Sequence, residues 1–431
     1  MIERGMMKYR KQTRRAKSRL PLLVLPVLAL QAPVFPLQAE PLTFAEAVEL
    51  AETATPAIEA RSLVIEAAQS AAIAADQLPD PKLSVDIMDR RIAGPFEFSP
   101  RPGRNGFPRQ RIGISQDIPN GAKRRARAGQ AMADITAARA NKEALVQDAQ
   151  LYSALSWIDL HYAQRRLHIL EVLQQSLNEL SATVGARLES GITRPAEAFE
   201  PELLIAKLAD RRSRRVADIE KARAMLARWT GVDHPEIEGT LPEFTIDREV
   251  LVSTIKELPI LDIQDAKVER AEADVELARA NKRPDFSVNA SYAHRRPEYG
   301  EYVSVGVTID LPLFAKKRQN PLIDARILEA SAARLEASDL ERQLQAELSR
   351  DLAENRSYRE SWERSKNTLL PLAKKQAELE QVSYGAGRVD LDTALNAAVA
   401  FAEAEIDLLD REATLVRDTV RIKYTYERTQ P

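Results

Sequence analysis

Between Pro119 and Pro195 the chain contains no proline, and residues 122–187 read as helix almost throughout. At 1.5 Å of rise per residue this is a rod of roughly 100 Å. A rod of that length cannot fold back into one globular core. It needs neighbours along its whole length, so packed antiparallel coiled coils are expected. Leu170, Leu173, Leu177, Leu180 and Val184 step by 3, 4, 3 and 4 residues, the spacing of such a seam. Composition agrees: glycine is scarce, at 15 of 431 residues, while Ala, Leu, Glu and Arg are plentiful. That balance suits long helices better than a compact α/β enzyme.

The rod occurs twice. GISQDIPNGAKR (113–124) and GVTIDLPLFAKK (306–317) align without gaps 193 residues apart, pairing Gly113 with Gly306, Asp117 with Asp310, Pro119 with Pro312 and Lys123 with Lys316. Upstream, Leu78-Pro79-Asp80 and Arg283-Pro284-Asp285 each close an Ala-rich stretch and open a β-like one. Downstream, LESGIT (188–193) and YGAGRV (384–389) place Gly191 and Gly387 after the long helices. Three landmarks in one order indicate duplication.

The division is a first repeat over 40–230, a connector over 231–249 rich in proline and glycine, a second repeat over 250–427, and a tail, 428–431. Each repeat begins with an Ala-rich helix (42–78; 250–282) and continues into two alternating segments. These are expected as hairpin strands over 82–89 and 109–118 in the first repeat, and over 285–292 and 301–310 in the second. Val303, Val305, Val307 and Ile309 form the cleanest alternation. The rods follow at 122–187 and 316–383, with Pro371 expected to kink or break the second. Final helices are expected at 196–230 and 392–427. The fold class is thus mostly α with a small β part.

Four short strands with thin apolar faces cannot close a barrel alone, and open edges invite pairing. Several chains pooling strands into one barrel and helices into one cylinder would satisfy both elements. A membrane-spanning strand needs about 9–11 residues, which these segments just reach. Alternating lipid-facing and lumen-facing side chains are the expected pattern.

The N-terminus reads as an export signal. KYRKQTRRAKSR (8–19) is basic with no acidic residue, LPLLVLPVLAL (20–30) is apolar but too short to span a bilayer, and QAPVFPLQA ends at Ala39. Cleavage of a signal peptide, 1–39, is expected near Ala39–Glu40, although Leu37 is an unusual residue three before the cut; Met7 offers an alternative start. An uncleaved anchor is the other reading. The chain contains no cysteine, which removes disulfides, thiolate metal sites, a cysteine nucleophile and a lipid anchor on cysteine. A net charge of −2 argues against nucleic-acid binding.

With the duplicated plan in view, the chain resembles the TolC family of outer-membrane efflux proteins, from about Leu42 to Tyr426. LPDPKLSVDI, ISQDIPNGAKRRARA and YGAGRVDLDTAL are similar to the branch that holds cobalt–zinc–cadmium and copper–silver efflux components. The resemblance implies a homotrimer in the outer membrane of a Gram-negative bacterium, with four strands per chain in one barrel and a helical tunnel across the periplasm. It implies as partners outer-membrane lipid, a periplasmic adaptor (membrane fusion protein) and an inner-membrane RND pump. Gly191 and Gly387 would mark the periplasmic tip turns where the adaptor docks; helix C-capping alone also accounts for them. Loops 90–108 and 294–300 would face outside.

A passive duct needs no catalytic centre or cofactor, and no triad, phosphate loop or metal constellation is visible. His161 and His168 are seven residues apart, but no carboxylate or cysteine completes a metal site with them. In related channels, aspartates shortly after the turn glycine ring the constriction. Counting six and nine residues past each glycine gives Glu197 and Glu200 in the first repeat, and Thr393 and Asn396, flanked by Asp390 and Asp392, in the second. Threefold repetition of such carboxylates would favour cations. Acidic residues in the first turn of a helix are the plainer account. The branch resemblance leans toward heavy-metal cations, with organic compounds as the alternative cargo. A periplasmic coiled-coil protein without a barrel is the competing reading.

Overall fold

The computed structural model describes residues 41–88, 109–189, 199–294 and 300–427. The signal segment, the first hairpin's connection and the turn bearing Gly191 lie outside them. So does the side chain of Val184.

The first repeat opens with α1 (Phe44–Ala54), started by a capping box in which the Thr43 hydroxyl accepts from the Glu46 amide and the Glu46 carboxylate accepts from the Thr43 amide. The single helix expected over 42–78 is two helices, because α2 (Pro56–Ala75) begins at a proline. Proline has no N–H to continue the ladder and drives the residue before it out of the helical region; Thr55 stands at φ −84°, ψ 110°. The second repeat breaks in the same way. There α5 (Arg248–Thr254) is followed by a 3₁₀ turn, Ile255–Glu257, and α6 (Pro259–Ala280) starts afresh after an extended Leu258.

The strands β1 (Lys82–Met88), β2 (Arg109–Ile118), β3 (Phe286–His294) and β4 (Tyr302–Ile309) form one antiparallel sheet in the order β1-β2-β3-β4. The middle pairing, β2 with β3, joins the two repeats, with Ile114 opposite Ala290. β1 and β4 are the sheet's edges.

The first rod, α3, runs unbroken from Gly121 to Glu189. At mid-height it buries Trp157, Ile158 and Tyr162 against Phe44 of α1, Leu226 of α4 (Glu200–Thr230) and Val420 of α9 (Leu391–Tyr426). The Trp157 indole packs edge-on to Phe44 and donates to the Leu42 carbonyl, 3.0 Å away. Further down, Leu170, Leu173 and Leu177 pack against Leu208 of α4 and Leu391 and Leu395 of α9, with Leu180 half-buried beside them. This is the coiled-coil seam.

The second rod is interrupted. A turn over residues 313–318 delays its start, so α7 spans Gln319–Arg364 rather than beginning at 316. A π-helical turn, Ser365–Leu369, then leads into α8 (Leu370–Gly385). The break expected at Pro371 is therefore a π-turn just before it. The wider turn accommodates the missing amide and the rod continues.

LYSALS (151–156) and LQAELS (344–349) keep the 193-residue offset, so the two rods can be compared level by level. Ile158 and Tyr162, buried in the apolar core of the first rod, correspond to Asp351 and Asn355 in the second, equally buried. The Asp351 carboxylate accepts from Arg421 (2.7 Å), from Arg350 (3.0 Å) and from the Tyr426 hydroxyl (3.1 Å). Asn355 donates to Asp418 and Thr419, both at 3.0 Å. Burial pushes the Asp351 carboxyl up, but the bonds from Arg421 and Arg350 hold it below the usual carboxylate range.

Candidate surfaces of a membrane duct

The register of the sheet puts Leu83, Val85 and Ile87 of β1 on the same face as Ile112 and Ile114 of β2, and continues that face across Val288 and Tyr292 of β3 to Val303, Val305 and Val307 of β4. All are partly to strongly exposed, Val303 at 77% and Val305 at 78%. A largely apolar face across four strands, interrupted only by Gln110, Gln116 and His294, is far from what water tolerates on a folded chain. It matches the lipid-facing side of a barrel wall. Among the described residues no helix is long and apolar enough to cross a bilayer.

The opposite face is polar and close-packed. It carries Lys82, Ser84 and Asp86, Arg111 and Ser115, Asn289 and Ser291, and Ser304 and Thr308. The duplicated glycines sit on this side for a steric reason. A Cβ on Gly113 would lie 2.9 Å from the Ser84 hydroxyl, and one on Gly306 would lie 2.8 Å from the Asn289 amide oxygen. Side chains converge there, as on the inner face of a curved sheet.

Below the strands a polar joint ties rod to sheet. Asn120 caps α3: its side-chain oxygen accepts from the Lys123 amide (2.9 Å), while its own backbone N–H donates to Asp285 (2.8 Å) and its side-chain amide to the Ala280 carbonyl (3.1 Å). The Lys123 ammonium pairs with the other Asp285 oxygen. Burial pushes Asp285 up, yet Lys123 and Asn120 together hold its carboxyl below the ordinary range. The sequence marked Lys123 and Asp285 only as landmarks of the repeats. Their contact spans 162 residues, and no local pattern in the sequence signals the part Asn120 plays in it.

At the other end, α8 closes on Gly387 at φ +70°. The Gly387 amide donates to the Tyr384 carbonyl (3.0 Å) and the Arg388 amide to the Ser383 carbonyl (2.9 Å), a left-handed cap that favours glycine. Asp390 caps α9 by accepting from the Thr393 amide at 2.9 Å. Asp392 is exposed on the first turn, where it accepts from the Asn396 side chain at 2.9 Å. Glu200 is half-buried as the first residue of α4. Gly191 and Glu197 lie outside the described residues, so of the six tip residues the structure brings Gly387, Asp390 and Asp392 together on one turn.

Of the histidines, His161 belongs to packing, whereas His234 and His294 are exposed. His161 stacks on Trp157, with centroids 5.2 Å apart, and burial followed by the Arg165 charge lowers its pKa. No group of three metal-ligating side chains occurs among the described residues.

Comparison with known proteins agrees with this geometry. A family model described as "Outer membrane efflux protein" matches residues 251–424. The cobalt-zinc-cadmium resistance protein CzcC of Cupriavidus metallidurans is 23% identical over 396 residues, covering 90% of this chain and 88% of that protein. Crystal structures of CusC, which follow its folding and transmembrane channel formation, align with a TM-score of 0.76 at 14% identity, over 89% of this chain and 91% of CusC. The CmeC outer-membrane channel of Campylobacter jejuni aligns with a TM-score of 0.73 at 14% identity, over 89% and 85% of the two chains.

Proposed function

We propose that this chain, matched by the outer membrane efflux protein model over residues 251–424, is the exit duct of a tripartite RND-type exporter, carrying heavy-metal cations from periplasm to outside. It is an outer-membrane efflux channel and not an enzyme. The observation that carries the finer reading is the exposed apolar face running across all four strands above two long rods. Such a sheet has two free edges and too few strands to close on itself. Three copies would supply a closed barrel and a helical tunnel, with outer-membrane lipid around the barrel.

In this reading the turns at Gly191 and Gly387 form the periplasmic tip and dock the adaptor, which links the duct to the inner-membrane pump. Glu197, Glu200, Asp390 and Asp392 supply the carboxylates of the constriction. Of those described, Asp390 and Asp392 are both exposed, Asp390 capping α9 and Asp392 accepting from the Asn396 side chain, whereas Glu200 is half-buried. The metal assignment rests on likeness to CzcC, a cobalt-zinc-cadmium resistance protein by name.

Cells lacking this protein should become sensitive to cobalt, zinc or cadmium and regain resistance on complementation. Sensitivity to organic compounds alone would assign the duct to drugs instead. In a planar bilayer the purified protein should pass cations in preference to anions. Unchanged selectivity in a channel carrying Glu197→Gln, Glu200→Gln and Asp392→Asn would remove the carboxylate ring from the account.

A further inference from the structure

The internal repetition of the chain specifies how its sheet edges meet a neighbour. Residues of β2 map onto β4 193 positions on, and those of β1 map onto β3 205 positions on, as Asp80 maps onto Asp285. These offsets carry one hairpin's register onto the other's. Lys82 opposite Ser115 becomes Ser287 opposite Thr308, and Val85 opposite Ile112 becomes Ala290 opposite Val305, all observed pairs. In a closed ring of copies, the seam between β4 and the next copy's β1 is the counterpart of the internal β2–β3 pairing.

Resting on the trimeric-duct reading, we infer that β4 of one copy pairs antiparallel with β1 of the next, with Ile309 opposite Leu83 and Val307 opposite Val85. The internal templates are Gln116 opposite Val288 and Ile114 opposite Ala290. This register continues the apolar face across the seam. A slip of one residue would turn every apolar side chain of one strand toward the lumen.

Charge selects against a slip of two. The observed pairing of Asp117 with Ser287 transfers to Asp310 opposite Lys82, an acid facing a base. A slip of two would put Asp310 opposite Ser84 or opposite Asp80. The joint transfers as well: the Lys123–Asp285 ion pair becomes Lys316 with Asp80. Both residues are exposed, and neither has an ion-pair partner among the described residues. Leu313 stands where Asn120 would, so the seam keeps the charge pair without the amide clamp. Leu313 and Phe314 are 75% and 70% exposed at this point, apolar surface that a second copy would cover.

The absence of cysteine makes the test clean. In the full-length protein in outer membranes, Ser84→Cys combined with Thr308→Cys, opposite each other in this register, should link all three chains on oxidation. Asp86→Cys with Thr308→Cys, two residues out of register, should not. Separately, Asp80→Lys should lower the temperature at which the trimer dissociates in detergent by several degrees, and adding Lys316→Asp should restore it. A trimer that links only through the displaced pair, or whose charge reversal is not rescued, overturns the register while leaving the duct standing. Absence of any oligomer in unsubstituted protein overturns the duct reading and this inference with it.

Discussion

The two rods solve one packing problem with different materials. At the same level, the first rod buries Ile158 and Tyr162 in an apolar cluster, whereas the second buries Asp351 and Asn355 in a network with Arg421, Asp418 and Tyr426. The first runs 69 residues without interruption; the second passes through a π-turn before Pro371. Apolar packing is tolerant of pH and of small shifts along the axis. A buried network with every partner placed is tolerant of neither. The first repeat therefore acts as a stiff strut, and the second holds its register through charge and carries a built-in irregularity.

The sharpest way to break this contrast is to give the first rod the proline of the second. Asn178 is the counterpart of Pro371, exposed on α3. Asn178→Pro should cost about 3 kcal/mol or more, because no π-turn precedes it to absorb the lost hydrogen bond. Pro371→Ala should change stability by well under half of that, and chemical denaturation of the two variants would compare them.

Next comes the network. Asp351→Ala removes a carboxylate that is only 2% exposed, strands the Tyr426 hydroxyl and leaves Arg421 with Asp418 alone, an expected loss of about 3 kcal/mol. The sign of the pH dependence follows from the depressed carboxyl. Its stabilising contribution is fully present above the ordinary aspartate range and is lost as pH falls through its lower folded-state value. Wild-type stability should therefore fall with acidification by more than that of Asp351→Ala, as thermal melts across pH 3–6 would measure.

At the upper joint, Asp285→Asn should cost about 1–2 kcal/mol by removing the charge that Lys123 faces. Asp80→Asn, its counterpart in the first repeat, should leave an isolated chain within about 0.5 kcal/mol of wild type. The smallest effect is at the tip. Gly387→Ala forces a Cβ into a left-handed conformation at about 1 kcal/mol, with open space around it and hence no clash to add.

Much of this architecture was legible because it repeats. Val303, Val305 and Val307 alternate with polar residues at period two, and Leu170, Leu173 and Leu177 step at helical spacing, so local geometry alone assigns them. Gly387 was readable as a turn because few other residues accept its φ. The breaks before Pro56 and Pro259 were less legible, since a proline inside an apolar run can either kink a helix or start a new one. Burial of Ile255 and Leu258 beside the second break accompanies a new start there. The Asp351 network could not be read at all, because its partners Asp418, Arg421 and Tyr426 lie in α9, 63 to 75 residues beyond the residues they hold. In the sequence the candidate lumen carboxylates are placed only by their spacing from a glycine. Counting does not distinguish Asp390, which accepts from the Thr393 amide as a helix cap, from Asp392, which accepts from the Asn396 side chain.

On the trimeric reading each chain supplies one third of a membrane barrel. Native mass spectrometry of the full-length protein, extracted by detergent from outer-membrane fractions, measures this most directly. A complex of three chains that falls to monomer only on heating is the predicted result. A monomer recovered from the soluble periplasmic fraction would contradict it.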